Sequence, residues 1–397
     1  MNVSAKWNKQ FTFALLLVVV FMIKAFYLWG YSIYIFFGLI FGFLIGFFLQ
    51  RSRFCFASGF RDIFMIRNGS MTRALIILLL VNSIGFFILH ISGIIDLIDS
   101  GALQPVGLNT FIGGLLFGFG LILAGSCVSG CLMRMGEGYA GQWVVFVGIM
   151  VGSYLPSLDF GHPDASGLNY GRIIFIPDYL GWHWTIIVYI VILALLYYLV
   201  VRYEGLPRGK VIRPGSGRVN IAGNVPGVVK SLFVGRPINY YYGAFLLALL
   251  HLVMLSAWGR TASIINGVSG LSGWVLNQAS SLFVFWPGFM EWIQQRGDPD
   301  AWTNPVLYFA VSIIIGSASS SLLNGEFRVR FPRKPPSYIY ALSGGFLLGF
   351  SANMAAGCNF GAFWSGISSF SLHGWVFGLF IIIGSLLGGK LYMRYLI

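Results

Sequence analysis

The chain has 397 residues, 57% of them hydrophobic and 9% charged, with a net charge of +13. Soluble domains carry roughly 25% charged residues, so this composition excludes a water-soluble globular fold and makes the lipid bilayer the solvent. The positive surplus does not indicate nucleic acid, because no basic soluble domain is there to carry it.

Apolar stretches of about 20 residues can cross a ~30 Å hydrocarbon core. They are predicted at 11–29, 32–50, 73–93, 110–126, 139–156, 181–201, 238–257, 303–323, 339–356 and 373–393. The first follows Lys6 and Lys9. It is long for the apolar region of a signal peptide and no small-x-small site follows it, so a retained helix is expected. With the N-terminus cytoplasmic, the intervening segments alternate in charge. All basic residues except Lys24, Arg172, Arg260 and Arg296 fall on the cytoplasmic side. The opposite side holds Asp96, Asp99, Asp159, Asp164, Asp178, Glu291, Asp298 and Asp300. The positive-inside rule therefore predicts both termini in the cytoplasm. The +13 records orientation, and the basic 202–236 segment is expected to attract anionic lipid. That Gly-, Pro- and Arg-rich segment is also the expected linker between two membrane halves, 1–201 and 237–397.

The halves share a pattern. GGLLFGFGLILAGSCVSG (113–130) aligns with GGFLLGFSANMAAGCNFG (344–361) at an offset of 231, pairing Cys127 with Cys358 and Gly118 with Gly349. One inserted residue later, Trp143, Gly152 and Ser153 pair with Trp375, Gly384 and Ser385. In the predicted topology the first copy enters from outside and the second from inside, so the repeat is inverted. The expected fold is all-α and polytopic, with two inverted repeats and re-entrant, broken helices, a build that places transport sites at the repeat interface.

The four cysteines (Cys55, Cys127, Cys131 and Cys358) lie in or beside apolar, glycine-containing segments, which is not a secreted disulfide framework. Gly125 and Gly130 flank Cys127, and Gly357 and Gly361 flank Cys358. These glycines are expected to break the helices inside the membrane. Broken helices aim backbone N–H groups and a positive dipole end into the gap, which suits an anion. A third stretch, 50–62, brings Cys55 together with arginines, and a fourth, 258–270, is small and polar without a cysteine. Cysteine commonly packs as a small hydrophobe. Cys127 and Cys358 stand apart from that role because they occupy matched breaks, whereas Cys131 pairs with Ala362. Arg260 is a candidate to attract an incoming anion or to snorkel. Asn353 and Asn359 are candidates to donate to the anion or to cap a broken helix. Asp62 with Arg61, and Glu137 with Arg134, are expected local ion pairs. The histidines have no metal-ligand spacing and no phosphate-binding loop is present, so neither metal, cofactor nor direct ATP coupling is expected.

The segments SRFCFASGFRD, GGLLFGFGLILAGSCVSG with MGEG, and GGFLLGFSANMAAGCNFGAFWSGI with SLHGW resemble the YeeE/YedE family of sulfur-transport membrane proteins. The resemblance implies an hourglass-shaped bacterial inner-membrane protein with inverted pseudo-symmetry. It implies uptake of thiosulfate, a small inorganic sulfur anion, along cysteines that correspond to Cys55, Cys127 and Cys358, without enzymatic chemistry. A TusA-like sulfur-carrier protein is the partner it implies. A neutral thiol is a weak S–H donor and can hold the soft terminal sulfur loosely, as an ion that must leave again requires. Two other readings remain open. One is a transporter of a selenium species or another anion. The other is a membrane thiol-exchange protein, for which the nearest pair in sequence is Cys127 and Cys131, without a C-x-x-C motif.

Overall fold

The structure is a computed structural model that describes residues 3–97, 100–154, 171–205, 235, 237–261, 263–279, 302–332 and 334–395. Most of the 202–236 linker, together with Asp99, Asp159, Asp164, Glu291, Arg296, Asp298 and Asp300, lies outside the described residues.

The first half contains α1 (Val3–Trp29), α2 (Ile33–Arg51), α3 (Phe56–Met65), α4 (Ser70–Ile91), α5 (Leu108–Ala124), α6 (Val128–Gly136), α7 (Ala140–Tyr154) and α8 (Ile176–Gly205). The second contains α9 (Tyr240–Trp258), α10 (Ile264–Ala279), α11 (Pro305–Leu323), α12 (Pro336–Met354), a π-helical segment Asn359–Ser365 running into one α-turn, and α13 (Leu372–Tyr395). Two short strands, β1 (Pro105–Val106) and β2 (Arg172–Ile173), pair antiparallel. Each of the ten predicted stretches coincides with a helix. Among the described residues, eight helices are long and apolar enough to cross a membrane. A ninth is reached if Pro336–Met354 and Asn359–Ser368, bent by 49°, count as one span, while Ala140–Tyr154 is shorter. Large apolar side chains on the outside, among them Leu16, Ile23, Phe26, Leu195 and Leu249, are exposed. Such a surface is stable only against lipid.

Six helical elements run through α2–α7 and six again from α9 to α13, and in each set the fifth is short and directly follows a cysteine. Helices α1 and α8 stand outside both sets and are mostly exposed. At the centre α5 packs against α12, with α13 along α5 and α7 along α12. The matched glycines make matched contacts. Gly118 abuts the Ile381 carbonyl and Gly349 the Ile149 carbonyl, while Gly152 abuts Phe346 and Gly384 abuts Leu115. At all four a Cβ would overlap the facing backbone oxygen. In lipid, where apolar surface gains nothing by leaving its solvent, such close backbone approach drives helix association.

Candidate functional site

The helices stop where the motifs lie. Helix α5 ends on Gly125, which takes a left-handed conformation (φ 66°). At the matched position of the second half, Ala356 adopts φ 55°. The amide of Ala356 donates to the Asn353 carbonyl (3.1 Å) and that of Gly357 to the Ala352 carbonyl (2.7 Å), the paired bonds of a Schellman ending. Of the four glycines expected to break the helices, Gly125 alone does so through a left-handed φ. In the second half the residue before Gly357 takes that role. Gly130 and Gly361 lie inside the short helices instead, and their missing side chains serve close approach.

Each restarting helix is capped by a cysteine. Cys55 is the N-cap of α3, Cys127 of α6 and Cys358 of the π-helical segment, all with extended backbone. Ser, Thr, Asp and Asn usually hold this position, accepting from the first free amides. Here sulfur does so at Cys127, while Cys55 and Cys358 hold the position without a side-chain cap bond. The Gly130 amide donates to Cys127 Sγ at 3.3 Å. The amides of Ala57 and Ser58 face the Cys55 sulfur. Those of Phe360, Gly361 and Ile265 face Cys358. Three sulfurs therefore sit at positive helix ends.

Cys55 and Cys127 approach each other across one face of Gly130. Gly130 allows it: a Cβ there would lie 3.2 Å from Cys55 Sγ and 3.3 Å from Cys127 Sγ. Ser129 Oγ is 3.4 Å from Cys127 Sγ on the same helix. Cys358 belongs to the other half. The Phe56 ring beside Cys55 lies 5.8 Å from Trp364, which packs on Phe360 at 4.6 Å. All four cysteines are buried and free.

The other candidates divide. Cys131 donates to the Gln142 carbonyl (3.2 Å) and does not join the Cys55–Cys127 pair. Asn353 is a strut: its amide donates to Ser269 Oγ (2.9 Å) and to the Ser153 carbonyl, and its oxygen accepts from Ser269 at 3.2 Å. Arg260 is exposed, 6.0 Å from the Tyr34 ring. Asn359 is 1% exposed, and neither of its amide atoms has a partner among the described residues.

A cavity of about 480 Å³ is lined by Cys55 together with Arg53, Arg134, Glu137, Glu326 and Arg330. Arg53 bridges Glu326 at 3.0 Å, and Arg61 bridges Asp62 at 2.8 Å as expected. Arg134 does not pair with Glu137 in this way. It donates to the Gly125 carbonyl (2.9 Å), holding the end of α5. Sequence reading missed Gln50, which donates to Glu326 (3.1 Å) and accepts from Ser320 (2.6 Å) at the cavity wall. A buried amide inside an apolar run was its available signal.

A family model described as sulphur transport matches residues 51–387. The chain is 30% identical to the thiosulfate transporter TsuA of Escherichia coli (strain K12), over 87% of this chain and 91% of that protein. It is 26% identical to the thiosulfate transporter TsuA of Spirochaeta thermophila, over 88% and 96%. To the probable transporter YedE of Escherichia coli (strain K12) it is 37% identical, over 29% of this chain and 28% of that one. The match spans every cysteine-capped helix described above, and the chain belongs to the sulphur transport family.

Proposed function

We propose that the chain takes up thiosulfate across the bacterial inner membrane along a path lined by Cys55, Cys127 and Cys358. The observation that carries this is the placement of a buried cysteine at the N-cap position of three short helices, with two of the sulfurs on one face of Gly130. At each station the helix-end amides draw the anion, and the thiol offers a weak donor to its terminal sulfur. A neutral thiol meets the dianion as a weak donor, where a thiolate would repel it as a like charge. Weak, repeated contacts favour passage over retention. In this reading both termini are cytoplasmic and the halves 1–201 and 237–397, joined by the 202–236 linker, run in opposite directions. The cavity lined by Cys55 is then the inner vestibule, where a TusA-like carrier would collect the sulfur. No bond of the substrate is broken by the chain.

The test is growth of a bacterium lacking its own sulfate and thiosulfate uptake, with thiosulfate as sole sulfur source. Wild type should rescue growth, and equally abundant Cys55→Ala, Cys127→Ala and Cys358→Ala variants should not. A well-expressed wild type that fails to rescue refutes thiosulfate as the substrate. A second reading, thiol exchange, draws on the approach of Cys55 to Cys127 rather than on Cys131. It requires that pair to form a disulfide during turnover, which alkylation and mass measurement under non-reducing conditions would detect.

A further inference from the structure

The two halves differ at one station. In the first, the Gly130 amide faces Cys127 and its Cα face meets a second sulfur, that of Cys55, which caps α3. In the second half the counterpart of Gly130 is Gly361, whose amide faces Cys358. A Cβ on Gly361 would lie 3.1 Å from Ser263 Oγ. Ser263 immediately precedes α10, as Cys55 immediately precedes α3. The spacing agrees, since Cys55 is followed four residues later by Gly59 and Ser263 by Gly267. Ser263 therefore occupies the place of a fourth cysteine.

Its hydroxyl is buried and has no hydrogen-bond partner among the described residues, and neither does either amide atom of Asn359 beside Cys358. Unpartnered buried polar atoms are costly. Here Ser263 lies against Gly361 and Asn359 follows Cys358 directly in the chain, and the backbone amides of Ile265, Phe360 and Gly361 face the Cys358 sulfur. Donors left free around one point fit an anion that completes them.

We propose that Ser263 and Asn359 bind the oxygen end of the transported anion while the Cys358 thiol holds its terminal sulfur. The first half offers two soft sulfurs at the matched place. The second offers one soft and two hard groups, which distinguishes the two ends of an S–SO₃ anion. Ser263 is then a specificity-determining contact: it favours a sulfur anion that carries oxygens over one that carries none. This inference rests on the transport reading above.

The experiment measures uptake of radiolabelled thiosulfate by cells lacking their own carriers. In parallel, the thermal shift of the purified full chain is measured with sodium thiosulfate and with sodium sulfate. Loss of one hydrogen bond to an anion is expected to raise KM about tenfold in Ser263→Ala with Vmax within about twofold. Ser263→Cys, which replaces the hydroxyl by a weaker and softer S–H donor, should raise KM as well, by less than Ser263→Ala does. Sulfate has the oxygens but no terminal sulfur. It should shift the melting of wild type and of Cys358→Ala, and should not shift Ser263→Ala. A purely structural serine would lower Vmax or abundance and leave the sulfate response intact, and that result overturns the proposal. So does a Ser263→Ala KM within twofold of wild type, or a wild type that sulfate does not shift. Uptake abolished by Cys358→Ala but indifferent to Ser263→Ala sinks this inference alone. A wild type that takes up no thiosulfate sinks the transport reading as well.

Discussion

Replacing Gly130 by alanine tests the cysteine pair without touching a sulfur. The new methyl would sit 3.2 Å from Cys55 Sγ and 3.3 Å from Cys127 Sγ. Comfortable carbon contacts begin at about 3.5–4.0 Å, so it overlaps each sulfur by roughly 0.4 Å. Overpacking of this kind costs about 1–3 kcal/mol, and alanine returns about 1 kcal/mol of helix propensity inside α6. The net loss of stability is therefore at most about 2 kcal/mol, a fall of a few degrees in Tm. Uptake should suffer far more, because the sulfurs can make room only by separating and the methyl fills the face they share. A drop of at least about tenfold in radiolabelled thiosulfate uptake, at normal membrane abundance and nearly normal melting, is the expected result. Gly130→Ala with wild-type uptake would show that the paired thiols do not line the path.

Cys131→Ala is expected to retain uptake within about twofold, losing roughly 1 kcal/mol of thermal stability with its weak bond to Gln142. Asn353→Ala leaves the Ser153 carbonyl and Ser269 without their amide partner. It should lower stability by about 2–3 kcal/mol, read as lower Tm and membrane yield, while the KM of whatever protein folds stays near wild type. A fluorescent protein fused after residue 397 should fold and fluoresce, and alkaline phosphatase fused at the same point should be inactive. The opposite pair of results would reverse the assigned orientation.

The frame of this protein was legible because its signals are local or periodic. A run of 20 apolar residues has one use in a bilayer, and glycines matched at a fixed offset became matched helix contacts at Gly118 with Gly349 and Gly152 with Gly384. The break residues were legible only as a region. Which residue turns left-handed depends on the hydrogen bonds that close the helix, and in the second half that residue is Ala356, not a glycine. Cysteine is not among the usual N-caps, so the position shared by Cys55, Cys127 and Cys358 emerged only from the structure. Whether a polar side chain is free is a tertiary property. Asn353 and Asn359 read alike in sequence, yet the first joins three helices and the second has no partner among the described residues. Ser263 was hidden because its segment shares little with that of Cys55 beyond one glycine at the same spacing.

The glycine contacts along α5, α7, α12 and α13 also limit how the molecule can move. Where a glycine rests against a carbonyl, one helix cannot slide along the other. A slip of one residue along α5 would bring Phe117 or Phe119 to the space that Gly118 now leaves open at Ile381. The glycine contacts thus hold α5, α7, α12 and α13 in register with one another. What remains free to shift are side chains and the short capped helices, over distances comparable with a rotamer change. On the proposed path an ion would advance by a series of small local exchanges, and its speed would depend on the narrowest of them.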